Sequence, residues 1–497
     1  RIWRLVPAWA AKLGAGRLVL AGNSSYSGGT SLQTGTLGIG SDAALGTGAL
    51  TMAAGTAVEA VGGSRTVANA LILNGSVTFS GSQDLTFTDT TPVVVPSGRV
   101  LTSTNTGTTT LSGRVSAAAG SQVVASGVGG NFVLGDPNDL LGFASAGTIL
   151  VNSGATMTLR SATYADLPPL SQLQGGTLAA PSGVALAINE VIAGDANSYD
   201  GYFSDGRLYV NRHTVTLRDR NQAVLGSLTQ LGDAQGDGTL SAPNGLVVDF
   251  GRNIVGHGTV TTPNLTVKPL TNNGMVAGDS PAAPITLTGY VKGVGTFDNV
   301  TFTGTYAPGL STTAAQVGSV IYAAGSTLEV EIAGQNPGTG YDQVNHSAAP
   351  VLGGTLSIVR VGGYVPTPYQ PLHVLAYPSA TGRFAAVSGQ DAGSGLVFAA
   401  IYGPTGLNLV PALAGDANLD GTTSFSDLLV MGQNYNQAGP TWAEGDFDNS
   451  GDVGFADLLM LSQSYNRTAP SAQAVPEPGV LGLLALGALG LLARRRR

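Results

Sequence analysis

Residues 416–427 read DANLDGTTSFSD, and residues 446–457 read DFDNSGDVGFAD. Both are twelve residues long, with oxygen-bearing side chains at positions 1, 3, 5 and 12 and a glycine at position 6. Hard oxygens at alternate positions, a sharp turn at the glycine, a carbonyl at position 7 and a closing carboxylate at 12 wrap a short chain around Ca²⁺. A single acidic loop is common in surface turns. Here the loop recurs thirty positions on, and each copy runs into a near-copy, FSDLLVMGQNYN and FADLLMLSQSYN.

Such loops need elements to hold them. An EF-hand places a helix on each side of its loop. In this chain Asp416 follows LNLVPALAG and Asp446 follows NQAGPTWAEG, where Pro411, Gly439 and Pro440 break any long entering helix. Helices are expected after the loops. Phe425, Leu428, Leu429 and Tyr435 fall on one stripe, as do Phe455, Leu458, Leu459 and Tyr465.

A duplicated loop-helix unit closed by Asp rather than Glu at position 12 resembles a type I dockerin, the small module that docks to a cohesin. Carried onto this chain, the resemblance implies two calcium sites. The first would use Asp416, Asn418, Asp420, the Thr422 carbonyl and Asp427, with Ser424 acting through water. The second would use Asp446, Asp448, Ser450, the Asp452 carbonyl and Asp457. Ser450 replaces a carboxylate or amide at position 5, which predicts a weaker second site. Where dockerins often carry the hydroxyl pair that reads the cohesin, this chain has Phe425 with Ser426 and Phe455 with Ala456. The resemblance thus implies calcium-dependent folding and makes a cohesin-like module one candidate partner.

The remaining composition is that of a β protein with many tight turns. Of 497 residues 73 are glycine, only 10% are charged and 6% aromatic, while 43% are hydrophobic, which argues against disorder. The net charge of −8 and the lack of a basic stripe with aromatics argue against nucleic acid. Cysteine is absent, so disulfides and thiol chemistry are excluded. The chain begins RIWRLVPAWAAK, where Pro7 interrupts a short apolar stretch, and a signal peptide is expected upstream.

The end of the chain carries a second signal. Residues 475–497 read VPEPGVLGLLALGALGLLARRRR, with an apolar run at 479–493 between Pro476, Glu477, Pro478 and four arginines. A bilayer span takes about 20 residues, so this is a short hydrophobic helix with its basic end on the cytoplasmic side. The order resembles the PEP-CTERM sorting signal. That resemblance implies export, transient contact with the inner membrane, recognition by an exosortase and removal of the tail near Pro476. The mature protein would reside at the cell surface or in extracellular polymer.

The first four hundred residues open on a repeat of about 20 residues. From 17 to 60 short runs such as RLVL, TLGIG, ALTM and TAVEA end in glycine or small polar turns. This suits a parallel β-helix, in which no coil can bury its apolar face alone. The stretch resembles the autotransporter passenger-associated repeat, through Gly22, Asn23, Tyr26 to Thr30, Gly35 to Leu37 and Ala44 to Gly46. Weaker copies stand at 147–159 and 175–188. The segments 255–267 and 291–309 share Gly-x-Gly-Thr before an alternating strand, and 326–389 alternates apolar and polar residues like a β-rich cap.

Catalytic signals are sparse. His213, His257, His346 and His373 are isolated in sequence and read as surface or turn residues. Gly278, Asp279 and Ser280 read as a turn. The most charged stretch holds Asp195, Asp200, Asp205, Arg207, Arg212, Arg218, Asp219 and Arg220, and its spacing fixes no catalytic carboxylate pair.

The expected protein is mainly β: a remnant at 1–16, a parallel β-helix (solenoid) at 17–270 and a β-rich capping module at 271–411. A small α dockerin-like domain at 412–467 and a linker with the sorting helix at 468–497 follow. Its expected role is a non-enzymatic spacer or adhesin, with an extracellular polysaccharide as the other candidate partner. The alternative is a polysaccharide hydrolase or lyase built on the β-helix.

Overall fold

The computed structural model describes residues 3–6, 9–136, 143–145, 147–160, 170–174, 176–179, 190–193, 197–199, 207–217, 222–439 and 441–469. The strands are short because the sequence supplies short alternating runs between turns. In Val77–Ser80 the side chains of Val77 and Phe79 are buried while Thr78 and Ser80 lie outward. Leu85–Phe87 and Val93–Val95 follow on two further sides, and Val100–Ser103 then returns on top of the first, with Leu101 beside Val77. This coil therefore has three strands, and the coils stack as a parallel β-solenoid. One side is a ladder of 20 strands, a second has 15, and the third is built of segments of five, three and eight. The 20-strand ladder is open, running from Arg17–Leu20 through parallel neighbours to Leu372–Ala376 and then three antiparallel strands.

Stacking repeats the same inward position from coil to coil. Val67, Phe87, Leu111, Leu134 and Leu159 form one buried column. Leu246, Leu270, Val291, Tyr306, Leu328, Leu356 and Val387 form another. Each such side chain removed from water contributes about 1.5–3 kcal/mol before chain entropy is subtracted. Outward positions on the 15-strand side hold β-branched hydroxyls, as in the register Thr214, Thr239, Thr259, Thr286 and Thr301.

The second column crosses residue 270 without a break, so parallel stacking does not change at the expected boundary with 271–411. It continues to Leu372–Ala376, and antiparallel pairing begins only with Leu396–Gly403 and Gly406–Ala412. At the other end Trp3–Val6 pairs antiparallel with Trp9–Lys12, which stacks in parallel on Thr30–Leu32. Residues expected as a remnant thus form the first rung. An antiparallel strand starts the five-strand segment at the N-terminal end, and antiparallel strands finish the 20-strand ladder at the C-terminal end, satisfying backbone groups that an open parallel edge would expose there. Among the described residues no helix is long and apolar enough to cross a membrane. The hydrophobic stretch at 479–493 lies outside them.

Aromatic rings fill the wide C-terminal coils. Phe302 stacks on Tyr306 at 4.5 Å and on Tyr322 at 5.7 Å. His346 is buried beside them, with Nε2 3.0 Å from the Tyr322 hydroxyl and Nδ1 3.0 Å from the Ala376 carbonyl. It is a core histidine rather than the expected surface residue. Burial pushes its pKa down to about 4. An unfolded histidine titrates near 6.5, so between these values the unfolded chain binds the extra proton. The stability His346 confers is complete above pH ~6.5 and is lost as pH falls toward 4. Between pH 7.5 and 5, chemical denaturation should show wild type losing about 2 kcal/mol that His346→Gln does not lose. Comparison with that variant cancels Asp342, whose carboxyl burial pushes up to about 7 and which acts in the opposite sense.

Candidate metal-binding loops at the solenoid end

Strand Gly406–Ala412 leads directly into the first acidic loop, and helix α1 (Phe425–Gln433) leaves it. A short 3-10 turn, Trp442–Glu444, precedes the second loop, which helix α2 (Phe455–Ser464) leaves. The structure thus gives an α-helix after each loop and no α-helix before either, as Pro411 and Gly439 predict.

The two loops wrap by the same hydrogen bonds. In the first, Asp416 Oδ1 accepts from the Asp420 amide at 3.2 Å and Oδ2 from the Gly421 amide at 2.9 Å. In the second, Asp446 accepts from Ser450 at 3.0 Å and Gly451 at 3.1 Å. Asp427 closes the first loop by accepting from Ala417 and Ser424, at 3.0 and 2.9 Å. Asp457 closes the second from Phe447 and Gly454, at 2.7 and 2.8 Å. Asp416, Asp427, Asp446 and Asp457 are all buried.

The remaining positions differ. Asn418 and Asp420 are exposed, and the Asn418 amide donates to Asp420 Oδ2 at 2.9 Å. Asp420 Oδ1 accepts from the Thr422 amide. The Ser424 hydroxyl lies 3.1 Å from Asp427 and caps α1. In the second loop the Ser450 hydroxyl reaches the Asp452 carbonyl at 3.3 Å. Ligand oxygens of Asp446, Asp448 and Asp457 lie within 4.8 Å of one another, the one such acidic trio among the described residues. The loop with serine at position 5 therefore gathers its carboxylates more tightly than the first.

No ion pair among the described residues involves a loop carboxylate. Burial pushes the Asp446 carboxyl up to about 7, and the charges of Asp457 and Asp448 add to the rise. Burial also raises Asp416 and Asp457. Like charges held together in a low-polarity wall are the surroundings that a hard dication relieves, and every donor in the set is oxygen. A cavity of about 500 Å³ lined by Arg383, Tyr402, Thr441, Trp442, Asp446 and Asn449 opens beside the second loop.

The loops are fastened by contacts that the sequence did not announce. Ala417, Met431, Trp442, Phe447, Val453 and Leu461 share one apolar core with Ala399, Val410 and Ala412 of the last hairpin. The Trp442 indole donates to the Asp416 carbonyl at 2.8 Å, and its ring meets Phe447 edge-on at 5.1 Å. The glycines before the loops are required by close approach. A Cβ on Gly415 (φ 81°) would lie 2.5 Å from Leu461 Cα, and one on Gly445 (φ 109°) 2.9 Å from Met431 Cα. Each loop entrance thus leans on the helix of the other copy. The repeated Gly-Asp pair was the available signal.

Phe425, Leu429, Tyr435, Phe455, Leu459 and Tyr465 are exposed, so most of the apolar stripe on each helix faces outward. Asp427 and Asp457 turn inward to close their loops, and the residues four positions on, Met431 and Leu461, follow them into the core. Past α2 the chain returns to the first loop, where the Ala469 amide donates to the Gly421 carbonyl at 2.9 Å. The expected linker at 468 thus begins paired to the first loop.

Of the charged stretch, Arg207 and Arg212 are described, while Asp195, Asp200, Asp205, Arg218, Asp219 and Arg220 lie outside the described residues. Arg212 pairs with Asp233 at 3.5 Å and bonds Gln235. His257 is not isolated in space, with Asp237 2.7 Å from Nδ1 and Asp279 3.9 Å from Nε2. Ser280 bonds Ala283 in a turn, as expected. His373 bonds Asn408 at 2.9 Å.

Fold and chain end define a class: a stacked β-solenoid that carries a sorting signal. Residues 11–39 match the passenger-associated-transport-repeat family, and residues 474–497 match the PEP-CTERM protein-sorting motif. No curated protein and no solved structure matches the chain. The sorting motif marks an exported, cell-surface protein and implies processing by an exosortase. Neither match covers the acidic loops.

Proposed function

We propose that this protein is a non-enzymatic surface or matrix component. Its solenoid acts as a stiff spacer or adhesive face, and a dockerin-like pair of calcium loops finishes its C-terminal end. The observation that carries the calcium reading is the twofold repetition of one wrapping pattern around buried carboxylates that make no ion pair among the described residues. Calcium would be held by Asp416, Asn418, Asp420, the Thr422 carbonyl and Asp427, and by Asp446, Asp448, Ser450, the Asp452 carbonyl and Asp457. The ion supplies the positive charge that these carboxylates lack.

The shared core with Ala399, Val410 and Ala412 favours a stabilising role for calcium, because the loops pack on the solenoid rather than hang from a linker. Cohesin-like modules and extracellular polysaccharide are the candidate partners. Calorimetric titration of the full chain with Ca²⁺ should give two binding events and a higher melting temperature. A chain that gives neither heat nor a melting shift does not use these loops for calcium.

A further inference from the structure

We infer that the first calcium loop is completed by the solenoid, with Tyr369 as the residue that positions its leading carboxylate. The inference rests on the calcium reading above and concerns a place where the two loops differ in their support.

Asp416 Oδ2 accepts two hydrogen bonds, from the Gly421 amide at 2.9 Å and from the Tyr369 hydroxyl at 2.7 Å. Its counterpart Asp446 Oδ2 accepts the matching amide, from Gly451, but no tyrosine hydroxyl among the described residues. Tyr369 does not belong to the duplicated unit. It stands 47 residues before Asp416, in the turn between the last two coils. There it is held with a left-handed backbone (φ 59°), and its amide donates to the Pro411 carbonyl at 2.8 Å.

The same hydroxyl accepts the Leu413 amide at 3.1 Å. One phenol therefore grips both the strand leaving the solenoid and the first acid of the loop. Oδ2 is thus held by two donors, while Oδ1 takes the Asp420 amide at 3.2 Å. From the other side the Trp442 indole fixes the Asp416 carbonyl. Partners of this kind orient a ligating carboxylate, and their loss typically weakens metal binding 10–100-fold. Calcium at the first loop then favours the conformation in which the module is seated on the last coil, and binding and seating reinforce one another.

The test is a calcium titration of the full chain and of Tyr369→Phe, each repeated in an Asp446→Ala background to isolate the first loop. Tyr369→Phe should weaken the first-loop event about tenfold and leave the second-loop event unchanged. The difference between calcium-saturated and chelated melting temperatures should shrink as well. Because that readout is a difference, a loss of stability common to both states cancels. Wild-type affinity at both loops in Tyr369→Phe would overturn the coupling and leave the calcium reading standing. A wild-type chain with no calcium event at all would overturn both.

Discussion

Replacing Asp416 and Asp446 together by alanine should abolish both calcium events and remove the calcium-dependent part of the chain's stability. At calcium a hundredfold above its dissociation constant each site contributes about 2.7 kcal/mol, so the pair accounts for roughly 5 kcal/mol if the two act independently. The substitution acts on more than the ion. Asp416 Oδ2 is the acceptor for Gly421 and Tyr369, and Asp446 Oδ2 for Gly451. Donors left buried without a partner cost about 1–3 kcal/mol each, so the chelated variant should also melt below the chelated wild type. The diagnostic result is a variant whose melting temperature is the same in calcium and in chelator. A variant that keeps two heats of binding would show that the leading aspartates are not ligands.

The second large effect is expected at Trp442. Its ring is buried in the core that joins the loops to the last hairpin, against Phe447 and with Ala399, Val410 and Met431 in the same cluster. Truncating a buried aromatic to alanine costs about 3–5 kcal/mol, and here the bond to the Asp416 carbonyl is lost too. In a stacked solenoid each coil is stabilised chiefly by its neighbours, so the damage should stay local. Hydrogen exchange on Trp442→Ala should show lost protection across 391–469 and wild-type protection across 56–134. Uniform loss along the chain would mean that the module and the solenoid unfold as one unit.

Much of this architecture can be read from the chain itself. Short β-branched runs ended by glycine specify coils, and the spacing of Asp416 to Asp427 and Asp446 to Asp457 specifies the loops. What sequence cannot show is who meets across coils. His346 looks solitary because its partners, Tyr322 and Ala376, lie 24 and 30 residues away. The continuity of the stack across 270 is hidden for the same reason: coils of uneven length look like a change of pattern, although Leu270 and Val291 occupy one column. The helices misled differently. Phe425 and Leu429 mark an apolar stripe, but the inward pull of Asp427 turns it to solvent. Tyr369 carries no local pattern at all, since its role exists only once the strand leaving the solenoid returns beside it.

The open ladder also decides how the molecule responds to being pulled. Its rungs are joined by hydrogen bonds that point along the stack, about 4.8 Å apart, and the register offset from Thr56 to Val77 places 21 residues in that turn, while other turns are shorter or longer. Tension between the ends loads those rows in series, so the terminal coil gives way first while the others stay wound. A turn of that length, once released, adds up to about 70 Å of extended chain. A cell surface tethered through such a chain would feel a sequence of yields rather than a single break, and the C-terminal module would set the threshold of the first step at that end.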